Sequence, residues 1–100
     1  MKIQISLPFE KITEFCKARH VKELSLFGSV LREGFKPESD VDVLVSFEPG
    51  ASVNLMDLVE MQDELKFLLN REVDLVEKEA LSNPFLKYSI LSQKQIIYAA

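Results

Sequence analysis

Gly28-Ser29 is followed, after a spacer of ten residues, by Asp40-Val41-Asp42. A third acid, Asp74, interrupts the apolar run Val73-Asp74-Leu75-Val76. Residues i and i+2 of a strand project to one side, so Asp40 and Asp42 share a face if their segment is extended. A charge in the middle of an apolar strand is costly without a partner, which marks Asp74. If the two strands are neighbours, three carboxylates converge, and their mutual repulsion favours proton uptake or a cation among them. Oxygen-only ligands suit Mg²⁺, which keeps waters and is commonly shared between carboxylates and substrate phosphates. A glycine after a strand lets a ligand approach the backbone. The helical turn that follows offers N–H groups to phosphate, and the Ser29 hydroxyl adds a donor. Arg32, one turn on, is placed to add positive charge for a polyphosphate. One element would grip phosphates while the carboxylates hold metal at the phosphorus under attack. Two ions roughly 3.5–4 Å apart activate the incoming oxygen and stabilise the leaving one.

These residues need a scaffold that alternates helix and strand. Ser6-Leu7-Pro8 reads as a helix start, Ser6 capping and Pro8 in the first turn, with Phe9, Ile12, Phe15 and Cys16 at helical spacing. Glu23–Phe27 (ELSLF) reads as a strand ending at Gly28, Ser29–Arg32 as a helical turn, and Phe35–Ser39 as a loop. Asp40–Phe47 (DVDVLVSF) is the strongest strand signal, with Val41, Val43 and Val45 on one face and Asp42, Leu44 and Ser46 on the other. After the turn at Pro49-Gly50, Asn54 caps a long helix, with Asp57 completing a capping box. Leu55, Leu58, Val59, Leu65 and Leu69 form its expected apolar face, and Asn70 its left-handed end. Glu72–Glu77 is a third strand, Asn83-Pro84 opens a helix with Leu86, Ile90 and Leu91 inward, and Gln95–Tyr98 is a last short strand. The fold class expected is α+β, an α/β sandwich with a small mixed β-sheet flanked by helices.

Composition narrows the partners. The chain has 100 residues, the size of one small domain, so residues 1–100 are read as a single unit. With 47% hydrophobic and 28% charged residues it has the balance of a globular protein. A net charge of −4 with scattered lysines and arginines argues against nucleic acid as a main partner. Neither an apolar run of membrane-spanning length nor a signal-peptide pattern is present, so no membrane partner is expected. A single cysteine, Cys16, suits a reducing, cytoplasmic location.

At Gly28, Ser29, Asp40, Asp42 and Asp74 the sequence resembles the DNA polymerase beta-like nucleotidyltransferase superfamily. Its signature is Gly-Ser, about ten residues, Asp-x-Asp, and a third acid on a later strand. The run LFGSVLREGFKPESDVDVLV resembles most the minimal nucleotidyltransferase (MNT) group, stand-alone domains usually encoded beside a HEPN-domain protein. The likeness extends from about Leu24 to Val76, and less specifically through Asn83–Tyr98. It implies that Gly28, Ser29, Arg32 and Ser39 contact the nucleotide. It further implies that Asp40, Asp42 and Asp74 are the catalytic, metal-binding acids for two Mg²⁺ ions, with ATP as substrate. Many members have glycine directly after the arginine; here Glu33 intervenes before Gly34.

The resemblance further implies transfer of AMP from ATP to a hydroxyl, a tyrosine of a partner HEPN toxin, which makes the chain an adenylylating antitoxin of the type VII-like kind. The alternative is a binding antitoxin that neutralises the HEPN partner by complex formation without catalysis. Plainer readings exist for single residues. Asp40 and Asp42 alone would be a strand-start cap and an exposed charge, Asp74 could pair with Arg71 or a lysine, and Arg32 could be a surface residue. Cys16 reads as a small buried apolar group, His20 as a helix-end residue, Met56 and Met61 as packing or partner-facing, and Tyr88 and Tyr98 as structural.

Overall fold

The computed structural model describes residues 5–31 and 39–100. The elements run α1 (Phe9–Ala18), β1 (Val21–Phe27), a 3₁₀ turn (Gly28–Leu31), β2 (Val41–Phe47), α2 (Leu55–Leu69), β3 (Val73–Glu77), a second 3₁₀ turn (Lys78–Ala80), α3 (Pro84–Gln93) and β4 (Gln95–Ala99). The strands form one mixed sheet in the order β3-β2-β1-β4. β1 is antiparallel to both β2 and β4, while β2 and β3 run parallel through the α2 crossover. The expected α+β sandwich with a small mixed sheet is what the chain forms.

Alternation along the strands divides the sheet into two faces. Val41, Val43 and Val45 of β2 and Leu24 and Leu26 of β1 are fully buried. They pack in one cluster with Ile12, Phe15 and Cys16 of α1 and Met61, Leu65 and Leu69 of α2. Helices α1 and α2 therefore cover this face, leaving the Asp42 face for other uses. Arg19, at the end of α1, ties the two helices by pairing with Glu64 and, at 3.7 Å, with Glu60 of α2.

Helix phases differ from the sequence expectation at three places. Pro8, not Ser6, occupies the cap position of α1, and no side chain caps that end. Ser6 stands two residues too early to reach the first free N–H groups. In α2 the capping box forms as expected, Asn54 Oδ1 accepting from Asp57 N–H at 2.8 Å and Asp57 Oδ2 from Asn54 N–H at 2.9 Å. Leu55 and Val59 nevertheless point outward, at 75% and 45% exposure, and Met61 takes a core position. Leu58, Met61, Leu65 and Leu68 share one stripe, whereas Val59 lies about 100° around the helix from Leu58. In α3, Ile90 is buried but Leu86 is 52% exposed, and Tyr88, expected to be structural, is exposed. Asn70 closes α2 in the left-handed conformation (φ 53°), as expected. His20, at φ 58°, likewise turns the chain out of the end of α1.

Candidate active site

One strand end, that of β1, and two strand starts, those of β2 and β3, meet on the face away from α1 and α2. The parallel register sets Asp42 of β2 directly beside Asp74 of β3. The antiparallel register sets Phe27, the last residue of β1, opposite Asp42. Gly28 follows at φ +75°, a conformation that L side chains rarely adopt. A Cβ added to Gly28 would overlap Asp42 Oδ2 and stand 3.3 Å from its Cγ. Glycine is thus required twice at this position, once by the backbone turn and once by the carboxylate lying against it. Ser29, half-buried, follows Gly28 in the turn, and buried Val30 and Leu31 anchor it to the core.

Because the turn is four residues of 3₁₀ helix, it offers individual N–H groups and a hydroxyl, not the field of a long helix. Ser39 is half-buried and Asp40 exposed, both just ahead of β2. Arg32 lies outside the described residues, as does most of the expected loop 35–39.

The electrostatics fall on Asp42. Burial, then the neighbouring charges of Asp74 and Asp40, push its carboxyl above the ordinary aspartate value. Asp74 itself is exposed, because β3 is an edge strand. The burial cost expected for a charge in an apolar strand therefore lands on Asp42 of the inner strand instead. Among the described residues no group of three His, Cys, Asp or Glu side chains closes around one point as it stands. What the fold brings together is the Asp42–Asp74 pair in register, with Asp40 near enough to be felt as charge. This all-oxygen set, on a glycine-lined cradle, fits a hard divalent cation shared with substrate oxygens.

Gln62 is a contributor that carried no sequence signal. From α2 its Oε1 accepts the N–H of Leu75 at 3.1 Å, the residue after Asp74. That contact holds the edge strand, and so Asp74, against the helix layer. Nothing in residue type or spacing distinguishes Gln62 from the other polar residues of α2.

A family model described as the nucleotidyltransferase domain matches residues 9–97. A proposed protein adenylyltransferase of Methanocaldococcus jannaschii is 39% identical over 79 residues, covering 78% of this chain and 76% of that one. Two solved structures share the fold. A toxin–antitoxin complex with AMP-PNP aligns at a TM-score of 0.75 and 22% identity, over 94% of this chain and 75% of the other. A complex of MNT antitoxin with tri-AMPylated HEPN toxin from Shewanella oneidensis aligns at 0.66 and 21%, over 92% and 70%. No helix among the described residues is long and apolar enough to cross a membrane. With the family match spanning most of its length and the Gly-Ser and Asp-x-Asp elements set side by side, the chain belongs to the nucleotidyltransferase family and is a nucleotidyltransferase of the minimal kind.

Proposed function

We propose that the chain transfers AMP from ATP to a hydroxyl, that of a tyrosine, on a partner HEPN toxin, and that it acts as an antitoxin by this modification. The observation that carries the proposal is the register of Asp42 beside Asp74, with Gly28 packed against the Asp42 carboxylate. Adenylyl transfer is supported by the name of the M. jannaschii relative, and ATP by the AMP-PNP in a structure of the same fold. A HEPN partner is supported by the modified toxin in the S. oneidensis complex.

In this proposal Gly28 and Ser29 hold the phosphates through backbone N–H groups and the Ser29 hydroxyl, with Arg32 and Ser39 as further nucleotide contacts. Asp40, Asp42 and Asp74 hold Mg²⁺, two ions in the full arrangement. The bound metal supplies charge neutralisation for the phosphates and polarisation of the reacting oxygens. Asp74, exposed at the sheet edge, is reachable by a macromolecular acceptor and accepts the hydroxyl proton. The acceptor oxygen bonds to the α-phosphorus, the bond from that phosphorus to the bridging oxygen breaks, and pyrophosphate leaves. Placing reactants and stabilising charge account for most of the rate in such transfers.

The test is to mix the chain, its HEPN partner, Mg²⁺ and ATP and to weigh the partner. Each transfer adds one AMP unit, about 329 Da. Asp42→Asn and Asp40→Ala should abolish the gain, since losing a metal ligand costs several kcal/mol of transition-state stabilisation. They should also abolish the rise in melting temperature that Mg²⁺ and ATP give the wild type by mass action. A partner whose mass never changes, yet which is fully neutralised by the Asp40→Ala, Asp42→Ala variant, would replace catalysis with binding as the mode of action.

A further inference from the structure

The side of α3 that faces the site is a single stripe. Leu86, Ser89, Ile90 and Gln93 stand at i, i+3, i+4 and i+7, which puts them on one side of the helix. Together with Phe27 and Gly28 they line a cleft of about 170 Å³. Phe27 stands opposite Asp42 and alternates with the core residues Leu24 and Leu26, so its half-buried side chain lies on the carboxylate face of the sheet. Buried Ile90 anchors the middle of the stripe. Lys94, the residue after Gln93, ties its end to β1 by pairing with Glu23.

The chemistry of the cleft differs from that of the carboxylates beside it. None of its six lining residues carries a charge, so it suits a neutral group and not a phosphate or a metal ion. Its volume is below the roughly 300–1,000 Å³ of a pocket for a drug-sized ligand, so it takes one ring system and not a whole nucleotide. Phe27 supplies an aromatic ring, on which any base can stack. Ser89 and Gln93 are exposed and bring a hydroxyl and a carboxamide to the rim. A carboxamide sets one acceptor beside a pair of donors. That pattern matches adenine, whose amino group donates next to a ring nitrogen that accepts. Guanine instead sets two acceptors side by side, O6 and N7, and leaves the carboxamide oxygen facing one of them. Gly28 links the cleft to the reaction, because it lines the cleft and also packs against the Asp42 carboxylate. A nucleotide whose phosphates lie on the Gly28-Ser29 turn therefore has the cleft beside it.

We propose that the cleft between Phe27 and α3 is the nucleobase subsite, in which Phe27 stacks on the base and Gln93, with Ser89 beside it, selects adenine. The proposal rests on the reading that Gly28 and Asp42 receive a nucleoside triphosphate, and it adds which residues choose the base. Selectivity then resides in α3, outside the Gly-Ser and Asp-x-Asp elements that handle phosphate and metal.

The test measures, by calorimetry with Mg²⁺, the affinity of the chain for ATP, for GTP and for inorganic tripolyphosphate, which has the phosphates and no base. Wild type should bind ATP about tenfold more tightly than GTP, the discrimination of one bidentate contact. Gln93→Leu should bring the two nucleotides to within about twofold of each other. Phe27→Leu should weaken both about tenfold and keep their ratio, since stacking is indifferent to the base. Ser89→Trp fills the cleft and should weaken both by about tenfold or more. Tripolyphosphate should bind every variant as it binds the wild type. Should Phe27→Leu fail to fold, Gln93→Leu and Ser89→Trp, at exposed helix positions, carry the measurement. Equal affinity of wild type for ATP and GTP, a preference that survives Gln93→Leu, or variants that weaken tripolyphosphate as much as ATP overturns the proposal. So does a Ser89→Trp variant that keeps its nucleotide affinity and loses only transfer, which would give the cleft to the acceptor. A wild type that prefers ATP through Gln93 yet adds no AMP to the HEPN partner keeps the subsite and removes the proposed activity. One that modifies the partner without distinguishing ATP from GTP keeps the activity and removes the subsite.

Discussion

Substituting alanine for Gly28 tests the closest approach in the site. Two costs should add. The first is conformational: at φ +75° a side chain costs roughly 1–2 kcal/mol. The second is steric. The new methyl falls on Asp42 Oδ2 and stands 3.3 Å from its Cγ, so the carboxylate must leave its place against Gly28. Forcing an extra carbon into a packed site costs about 1–3 kcal/mol. The sum is about 2–5 kcal/mol, and each kcal/mol lowers the melting temperature of a domain this size by roughly 4–8 °C. Gly50 supplies the control. It has φ +85° with nothing within 4 Å of an added Cβ, so Gly50→Ala carries the conformational cost alone. Thermal melts of both variants, with the transfer rate measured below their transitions, separate the two contributions. Gly28→Ala should melt well below Gly50→Ala and lose at least a hundredfold in rate, since a displacement near 1 Å at the reacting centre costs that much. Equal melting temperatures together with a wild-type rate in Gly28→Ala would refute the packing of Gly28 against Asp42.

Two further outcomes follow from the supports of the site. The Lys94 ammonium, hydrogen-bonded to Glu23, holds that carboxyl below its ordinary value of 4.5, against the opposing effect of burial. A lowered folded-state value means stability that is full above the unfolded value and fades as pH falls through and below it. Glu23→Gln should therefore melt lower than wild type at pH 7, by about 1 kcal/mol, with the gap closing below about pH 4.5; a gap independent of pH would contradict the pairing. Gln62→Leu removes the acceptor for Leu75 N–H and should cost about 1 kcal/mol, with faster hydrogen exchange at Leu75 and slower transfer; unchanged exchange there would show that Gln62 does not hold β3.

Local rules were enough to locate most of the elements. The valine alternation of β2, the capping box at Asn54 and the left-handed Asn70 each act over a few residues, so residue type alone reveals them. The candidate site was marked by similar local rules: a glycine after a strand announced the close approach of Gly28 to Asp42, whereas the expected period-two pairing of Asp40 with Asp42 stops short, because β2 begins at Val41 and Asp40 stands just ahead of it. Register between distant strands is not written locally. That Asp42 stands beside Asp74, and not one residue off, depends on the α2 crossover and on core packing of Val41 against the helices. The burial of charge followed the same logic. Sequence marked Asp74 as the costly acid because its own strand is apolar, yet strand order makes β3 an edge and leaves the cost with Asp42.

Helices α2 and α3 mark where periodicity ran out. Apolar residues around much of each circumference allow several phases. In α2 the core settles the matter, taking Met61 and Leu65 and turning Leu55 and Val59 outward. In α3 nothing within the described chain does so beyond Ile90. Helix α3 mixes Phe85, Leu86, Tyr88, Ile90 and Leu91 with Lys87, Ser89, Ser92 and Gln93 around its circumference, so no single phase is marked by residue type. Gly28 and Asp42 are set together by strand register, whereas the phase of α3 is settled by Ile90 alone.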